Sequence, residues 1–193
     1  MPIKKMRDYD SYDGYINHQA EKSKKKYRRQ RLLDGFTKKK DWFVEKFKPL
    51  KDFVKDGKVL CLGARMGEEV VAFKELGYNA IGIDIVPYLP YVIEGDFNNI
   101  LFPDETFDLI YSNSLDHALD ETQFLKEAIS KLKTGGYIVL YVKSLSRNEK
   151  CFAFGTYEVL ILTKKNVIAA LKSFSSIEFV GFFNGSTFIS KKV

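Results

Sequence analysis

Residues 58–67, Lys-Val-Leu-Cys-Leu-Gly-Ala-Arg-Met-Gly, form a short apolar run that enters a glycine turn and passes straight into a helical stretch. A strand apolar at nearly every position has no face to give to water, so it belongs inside a sheet covered on both sides. The same kind of run recurs at Ala80–Ile83, Tyr91–Ile93, Phe107–Tyr111 and Tyr137–Val142. Between them lie segments with helical spacing. Glu68–Leu76 is stopped by Gly77, and Thr122–Leu132 carries Phe124, Leu125, Ala128, Ile129 and Leu132 on one face. Buried strands alternating with amphipathic helices predict a doubly wound, mostly parallel α/β sheet. The tail changes rhythm. A helix over Lys164–Phe174 precedes two extended runs, Ile177–Phe183 and Ser186–Ser190, joined by Asn184-Gly185, a pair that tolerates the positive φ of a hairpin turn. Between Asp84 and Tyr91 only six residues remain, two of them proline, so no crossover helix fits there.

The chain has 193 residues, a length for one core rather than two. Residues 55–193 carry the alternation, and 1–54 read as a basic helical extension of the same compact unit. With 45% hydrophobic residues the chain is not wholly disordered, and no apolar run reaches the roughly 18 residues of a membrane span. The N-terminus lacks the apolar centre of a secretory signal. The two cysteines, Cys61 and Cys151, make neither a disulfide framework nor a thiolate metal site, and His18 stands alone, so no metal is expected. The expectation is a soluble cytoplasmic protein with reduced thiols. The net charge of +6 is unevenly spread: Lys22–Lys40 holds ten Lys or Arg against one acid, Asp34, and the rest of the chain is mildly acidic. Ile16–Leu33 reads as a helix, with Phe36, Trp42, Phe43, Phe47 and Phe53 as anchors that dock the extension.

Backbone amides at a glycine turn before a helix receive a polar or anionic ligand group. Asp84 follows about 20 residues later at a strand end, the place from which an acid accepts hydrogen bonds from ribose hydroxyls. A dinucleotide site asks for Gly-x-Gly-x-x-Gly, but residue 65 is Arg and residue 68 is Glu, which disfavours pyrophosphate and with it an NAD(P)-dependent oxidoreductase.

These residues resemble the class I S-adenosylmethionine-dependent methyltransferases. Val59–Gly67 is similar to their first motif, Gly82-Ile83-Asp84 to the end of their second strand, and Glu94-Gly95-Asp96-Phe97 to the segment after their third. Phe102–Ile110 resembles the run into their fourth strand, and Leu132-Lys133-Thr134-Gly135-Gly136 the turn into their fifth. The resemblance implies a Rossmann-like, seven-stranded sheet ending in an antiparallel hairpin, with N-terminal helices added. It implies S-adenosyl-L-methionine as cofactor, bound by Gly63, Ala64, Arg65, Gly67, Asp84, Ile85, Asp96, Phe97, Ser112 and Asn113. Within it Asp84 takes the ribose, and Asp96 with Phe97 takes the base. The chain departs from the family at two points of the first motif: Cys61 replaces the acid and Arg65 the middle glycine, and an arginine does not readily adopt positive φ. Arg65 then either aims its guanidinium at an acidic group or stays in solvent. Tyr88 and Tyr91 are weighed as an aromatic wall in place of the absent helix.

The acceptor is expected at the polar loop Ser112–His117, since parallel sheets bind ligands at the carboxyl ends of their strands. His117 sits where the small-molecule branch of the family often has a histidine. An imidazole there can take a proton from an acceptor hydroxyl or amine, oriented by Asp116 or Asp120, or it can simply pack the following helix. The predicted activity is transfer of a methyl group to an O or N atom of a small-molecule acceptor. The alternative is a non-catalytic nucleic-acid or partner-binding module on a degenerate methyltransferase fold, using the basic segment 22–40.

Overall fold

A computed structural model describes residues 3–5, 7–24, 26–88, 90–142, 159–183 and 185–193, without side chains for 22–29. Cys151 and Asn184 therefore lie outside the described residues. The elements run β1 (Lys4–Lys5), α1 (Tyr12–Lys24), α2 (Lys26–Asp34), α3 (Phe36–Phe47), a 3-10 turn (Lys48–Asp52), β2 (Lys58–Leu62), α4 (Glu68–Glu75), β3 (Asn79–Asp84) and β4 (Val92–Glu94). They continue with β5 (Phe107–Ser112), a 3-10 turn (Leu115–His117), α5 (Glu121–Lys131), β6 (Leu132–Tyr141), β7 (Leu160–Ile161), α6 (Lys164–Lys172), β8 (Ile177–Phe183) and β9 (Thr187–Lys192).

Seven strands make the main sheet, in the order β4-β3-β2-β5-β6-β9-β8. The first five are parallel, and β9 returns antiparallel between β6 and β8, so the C-terminal hairpin predicted from Asn184-Gly185 closes the sheet. Among the described residues no helix joins β3 to β4. A second pairing, β1 with β7, is two residues long and has no signal in the sequence pattern. The helical reading of Ile16–Leu33 agrees with the described residues, which are helical over Tyr12–Lys24 and Lys26–Asp34.

Side-chain alternation along the strands divides the core in two. Leu60, Leu62, Ile110, Ile138 and Leu140 point to the face packed by Phe124, Leu125, Ala128 and Val167 of α5 and α6. Val59, Cys61, Leu109, Tyr111 and Val139 point to the opposite face, against α3 and α4. There Phe47 stacks on Phe73 with centroids 4.1 Å apart, and Tyr111 meets Phe47 edge-on at 4.8 Å. Of the expected anchors of the extension, Phe43 and Phe47 are buried, while Trp42 and Phe53 remain partly exposed. Offset and edge-on aromatic contacts of this kind add to what burial alone contributes. Lys39 of α3 reaches Glu68 at 3.1 Å and Lys40 reaches Glu75 at 2.8 Å, so part of the basic segment fastens α3 to α4. No helix among the described residues is long and apolar enough to cross a membrane.

Candidate functional site

The carboxyl ends of β4, β3, β2 and β5 open into a cavity of about 750 Å³, within the range of small-molecule sites. Its floor is the turn after β2. Gly63 there has φ +70°, and a Cβ on it would lie 2.5 Å from Ser114 Oγ, so a side chain is excluded. Arg65 also has positive φ, +41°. The arginine thus keeps the left-handed backbone that the glycine of the family would supply, at a cost of about 1 kcal/mol. Its amide donates to Asp84 Oδ2 at 3.0 Å, and the amide of Val86 donates to Asp84 Oδ1 at 2.8 Å. The strand-end acid is thereby oriented by the turns on both sides of it.

Asp96 is held more fully. Its Oδ1 accepts from the backbone amide of Asn98 at 2.8 Å and from Asn98 Nδ2 at 3.1 Å, and its Oδ2 accepts from the Tyr12 hydroxyl of α1. Partial burial, then the neighbouring Asp96 charge, holds the Tyr12 hydroxyl proton well beyond the ordinary tyrosine range. On the other side of the cavity, His117 Nε2 stands 3.9 Å from Asp116 Oδ1, an ion-pair distance too long for a hydrogen bond. The His117 backbone is fixed at both ends: its amide donates to Ser114 O at 3.0 Å and its carbonyl accepts from the Tyr15 hydroxyl at 3.1 Å.

Of the residues expected from sequence, Gly63, Ala64, Arg65, Asp84, Ile85, Asp96, Phe97, Asn113, Asp116 and His117 line this one cavity. Ser112 and Gly67 do not. Ser112 is buried beneath the floor, where its hydroxyl donates to Leu62 O and accepts from the Ser114 amide, both at 3.1 Å. Gly67 turns the chain into α4 with φ +82°. Asp120, the other acid weighed beside His117, is the N-cap of the next helix, α5, accepting from the amides of Thr122 and Gln123. Tyr88 and Tyr91 form no wall of the cavity; its aromatic lining is Tyr15, Trp42, Phe43, Phe97 and Tyr141.

Sequence reasoning did not name the lining residues of the roof as site residues, and it missed one acid of the wall. Tyr15 and Gln19 of α1, Arg31 and Leu32 of α2, and Lys39 and Trp42 of α3 close the cavity from above. Lys46 lies 4.7 Å over the Trp42 ring and 4.2 Å over that of Tyr141, which joins the roof to β6. The missed acid is Glu69, 2% exposed in the first turn of α4, where burial pushes its carboxyl up to about 7 against the opposing pull of Lys39. Among the described residues no group of His, Cys, Asp and Glu is arranged to hold a metal ion.

Residues 60–140 match the family model of a methyltransferase domain. No curated protein matches the chain in sequence. Similar solved structures include a SAM-dependent methyltransferase, possible histamine N-methyltransferase, from Thermotoga maritima (15% identity, 91% of this chain and 99% of that chain, TM-score 0.65). They also include the Burkholderia thailandensis 1,6-didemethyltoxoflavin-N1-methyltransferase with bound 1,6-didemethyltoxoflavin and S-adenosylhomocysteine (14%, 99% and 95%, TM-score 0.64). A third is SAM-bound CalS10, an amino pentose methyltransferase from Micromonospora echinaspora (14%, 80% and 92%, TM-score 0.64). Residues 60–140 thus carry the match to the methyltransferase-domain family model, and the sheet built around them has the Rossmann-like fold of the similar solved methyltransferases.

Proposed function

We propose that this protein transfers a methyl group from S-adenosylmethionine to an O or N atom of a small-molecule acceptor. The observation that carries this reading is the cavity itself, which brings Asp84, Asp96, the Gly63–Arg65 turn and His117 together under a helical roof. The residues present suit the cofactor: two fixed carboxylates for hydroxyl and amino donors, a floor that carries no side chain at Gly63, and a buried acid with an unpartnered oxygen. The similar enzymes from Burkholderia thailandensis and Micromonospora echinaspora act on small molecules, which supports the same acceptor class here.

When bound, the cofactor supplies an electrophilic methyl group on a sulfonium. The chain has to bind, orient and keep out water. Asp84 accepts from sugar hydroxyls, and Phe97 offers an aromatic face beside Asp96. Trp42, Tyr15 and Tyr141 close the acceptor end, where positioning does most of the work of a direct displacement. His117 takes the acceptor proton at one ring nitrogen, with the Asp116 carboxylate 3.9 Å from its Nε2. Residues 1–54 serve in this reading as the roof of one functional unit with 55–193. The nucleic-acid alternative draws less support, because Lys39 and Lys40 are engaged with Glu68 and Glu75.

The reading is tested by thermal unfolding with S-adenosylmethionine or S-adenosylhomocysteine. Ligand at about 100 times its Kd stabilises by roughly 3 kcal/mol, and Asp84→Ala removes the shift. No shift in the wild type, together with salt-sensitive binding of an oligonucleotide, overturns the methyltransferase reading in favour of the alternative.

A further inference from the structure

Glu69 is the second residue of α4, at the end of that helix facing the cavity. Its Oε2 is buried and accepts no hydrogen bond from any described residue. Around it stand Lys39 of α3, Glu68 beside it, Arg65 of the turn, the Cys61 thiol of β2 and the Tyr111 hydroxyl of β5. Lys39 already gives its ammonium to Glu68 at 3.1 Å. A buried carboxylate with an unfilled acceptor is costly, and a ligand group that fills it recovers that cost on binding.

Sheet order says which part of a ligand meets this acid. The strand ends follow one another as β4, β3, β2, β5. Asp96, Asp84, the turn with Glu69, and Asn113 to His117 therefore succeed each other along the cavity. A nucleoside with its base at Asp96 and its sugar at Asp84 brings its 5′ substituent to the end of β2. Cys61, near that strand end, offers no charge there, because burial, reinforced by Glu69, pushes its thiol well above the ordinary range.

We propose that Glu69 binds the α-ammonium at the amino-acid end of the cofactor. This rests on the S-adenosylmethionine reading above and assigns that end of the molecule to a residue outside the glycine turn. An ammonium supplies the missing hydrogen-bond donor and the opposite charge together. Arg65 lines the cavity beside Glu69 and offers the complementary cation for the carboxylate of the same zwitterion. A pyrophosphate at this turn meets the acid instead and is repelled.

The test is calorimetric titration of wild type and Glu69→Gln with two ligands, S-adenosylhomocysteine and 5′-methylthioadenosine, which keeps the nucleoside and thioether but lacks the amino-acid end. The expected result is a loss on the order of 10- to 100-fold in affinity for S-adenosylhomocysteine, with methylthioadenosine bound equally by both proteins. Equal binding of S-adenosylhomocysteine by both proteins overturns the assignment and leaves the methyltransferase reading standing. Parallel loss of both ligands also overturns it, since the variant has then lost the site as a whole. A wild type that binds neither ligand overturns the assignment together with the cofactor reading on which it rests.

Discussion

The Tyr12 hydroxyl of α1 donates to the Asp96 carboxylate that follows β4, linking residues 84 positions apart at the far end of the cavity. The N-terminal extension is thereby tied to the acid that the methyltransferase reading gives to the base. Asn98 occupies the other oxygen of Asp96 and also donates to Tyr12 Oη at 3.2 Å. A ligand donor directed at Asp96 Oδ2 has to displace this hydroxyl. Tyr12→Phe removes the competitor. A single exposed hydrogen bond is worth about 1 kcal/mol net, so S-adenosylhomocysteine should bind the variant roughly three- to tenfold more tightly by calorimetry. Weaker binding by Tyr12→Phe means that the hydroxyl serves the ligand rather than competing with it.

Arg65 carries the left-handed backbone of the floor with a side chain that disfavours it. Arg65→Gly relieves that strain but enlarges the freedom of the unfolded chain, and the two effects oppose each other. For a long side chain at φ +41° the strain outweighs the added freedom. The variant should gain up to about 1 kcal/mol in urea unfolding while losing affinity for the carboxylate end of S-adenosylhomocysteine. Unchanged affinity removes the guanidinium from the binding site.

The sheet was legible because its signals are local. Apolar runs near 58, 80, 107 and 137 and the hairpin residues at 184–185 each follow from neighbours in sequence, the strand end placed Asp84 at the cavity, and the family resemblance added Asp96. That aromatic residues dock the extension was legible, but which of its residues face the cavity was not. Phe43 and Phe47 pack α3 against Phe73 and Tyr111, and Tyr15, Trp42 and Tyr141 line the cavity through tertiary placement that local sequence does not encode. Glu69 escaped for a different reason. An acid in the first turn of a helix has an ordinary explanation in the helix dipole, and only its burial shows that this explanation is incomplete.

Asp108, at the second position of β5, lies at the amino end of the central strands, opposite the cavity. Its Oδ2 accepts from the Lys58 amide at 2.8 Å, and its Oδ1 takes the Lys133 ammonium at 2.8 Å. Burial pushes its carboxyl up, but Lys133 and the Lys58 amide outweigh that and hold it below the usual range. A carboxyl depressed in the folded state contributes stability above its unfolded value and loses it as pH falls through the folded one. Asp108→Asn should therefore cost about 1–2 kcal/mol near neutral pH, and the difference from wild type should vanish in strongly acidic buffer. A cost that persists unchanged at low pH assigns the effect to packing instead of charge.

Glu69 titrates in the opposite sense. Burial raises it from 4.5 to about 7 in the folded protein. Within that window the folded state holds a proton that the unfolded chain has released, so stability falls as pH rises through it and is lowest above the folded value. The shift corresponds to about 3 kcal/mol at most. In the absence of ligand, Glu69→Gln should be the more stable protein near pH 8 and indistinguishable from wild type near pH 4, read by urea unfolding at both. Saturating S-adenosylhomocysteine should shrink or reverse the difference at pH 8, because its ammonium compensates the carboxylate that the variant lacks. A wild type more stable than the variant at every pH, with or without ligand, assigns Glu69 to the support of α4 and removes it from the site.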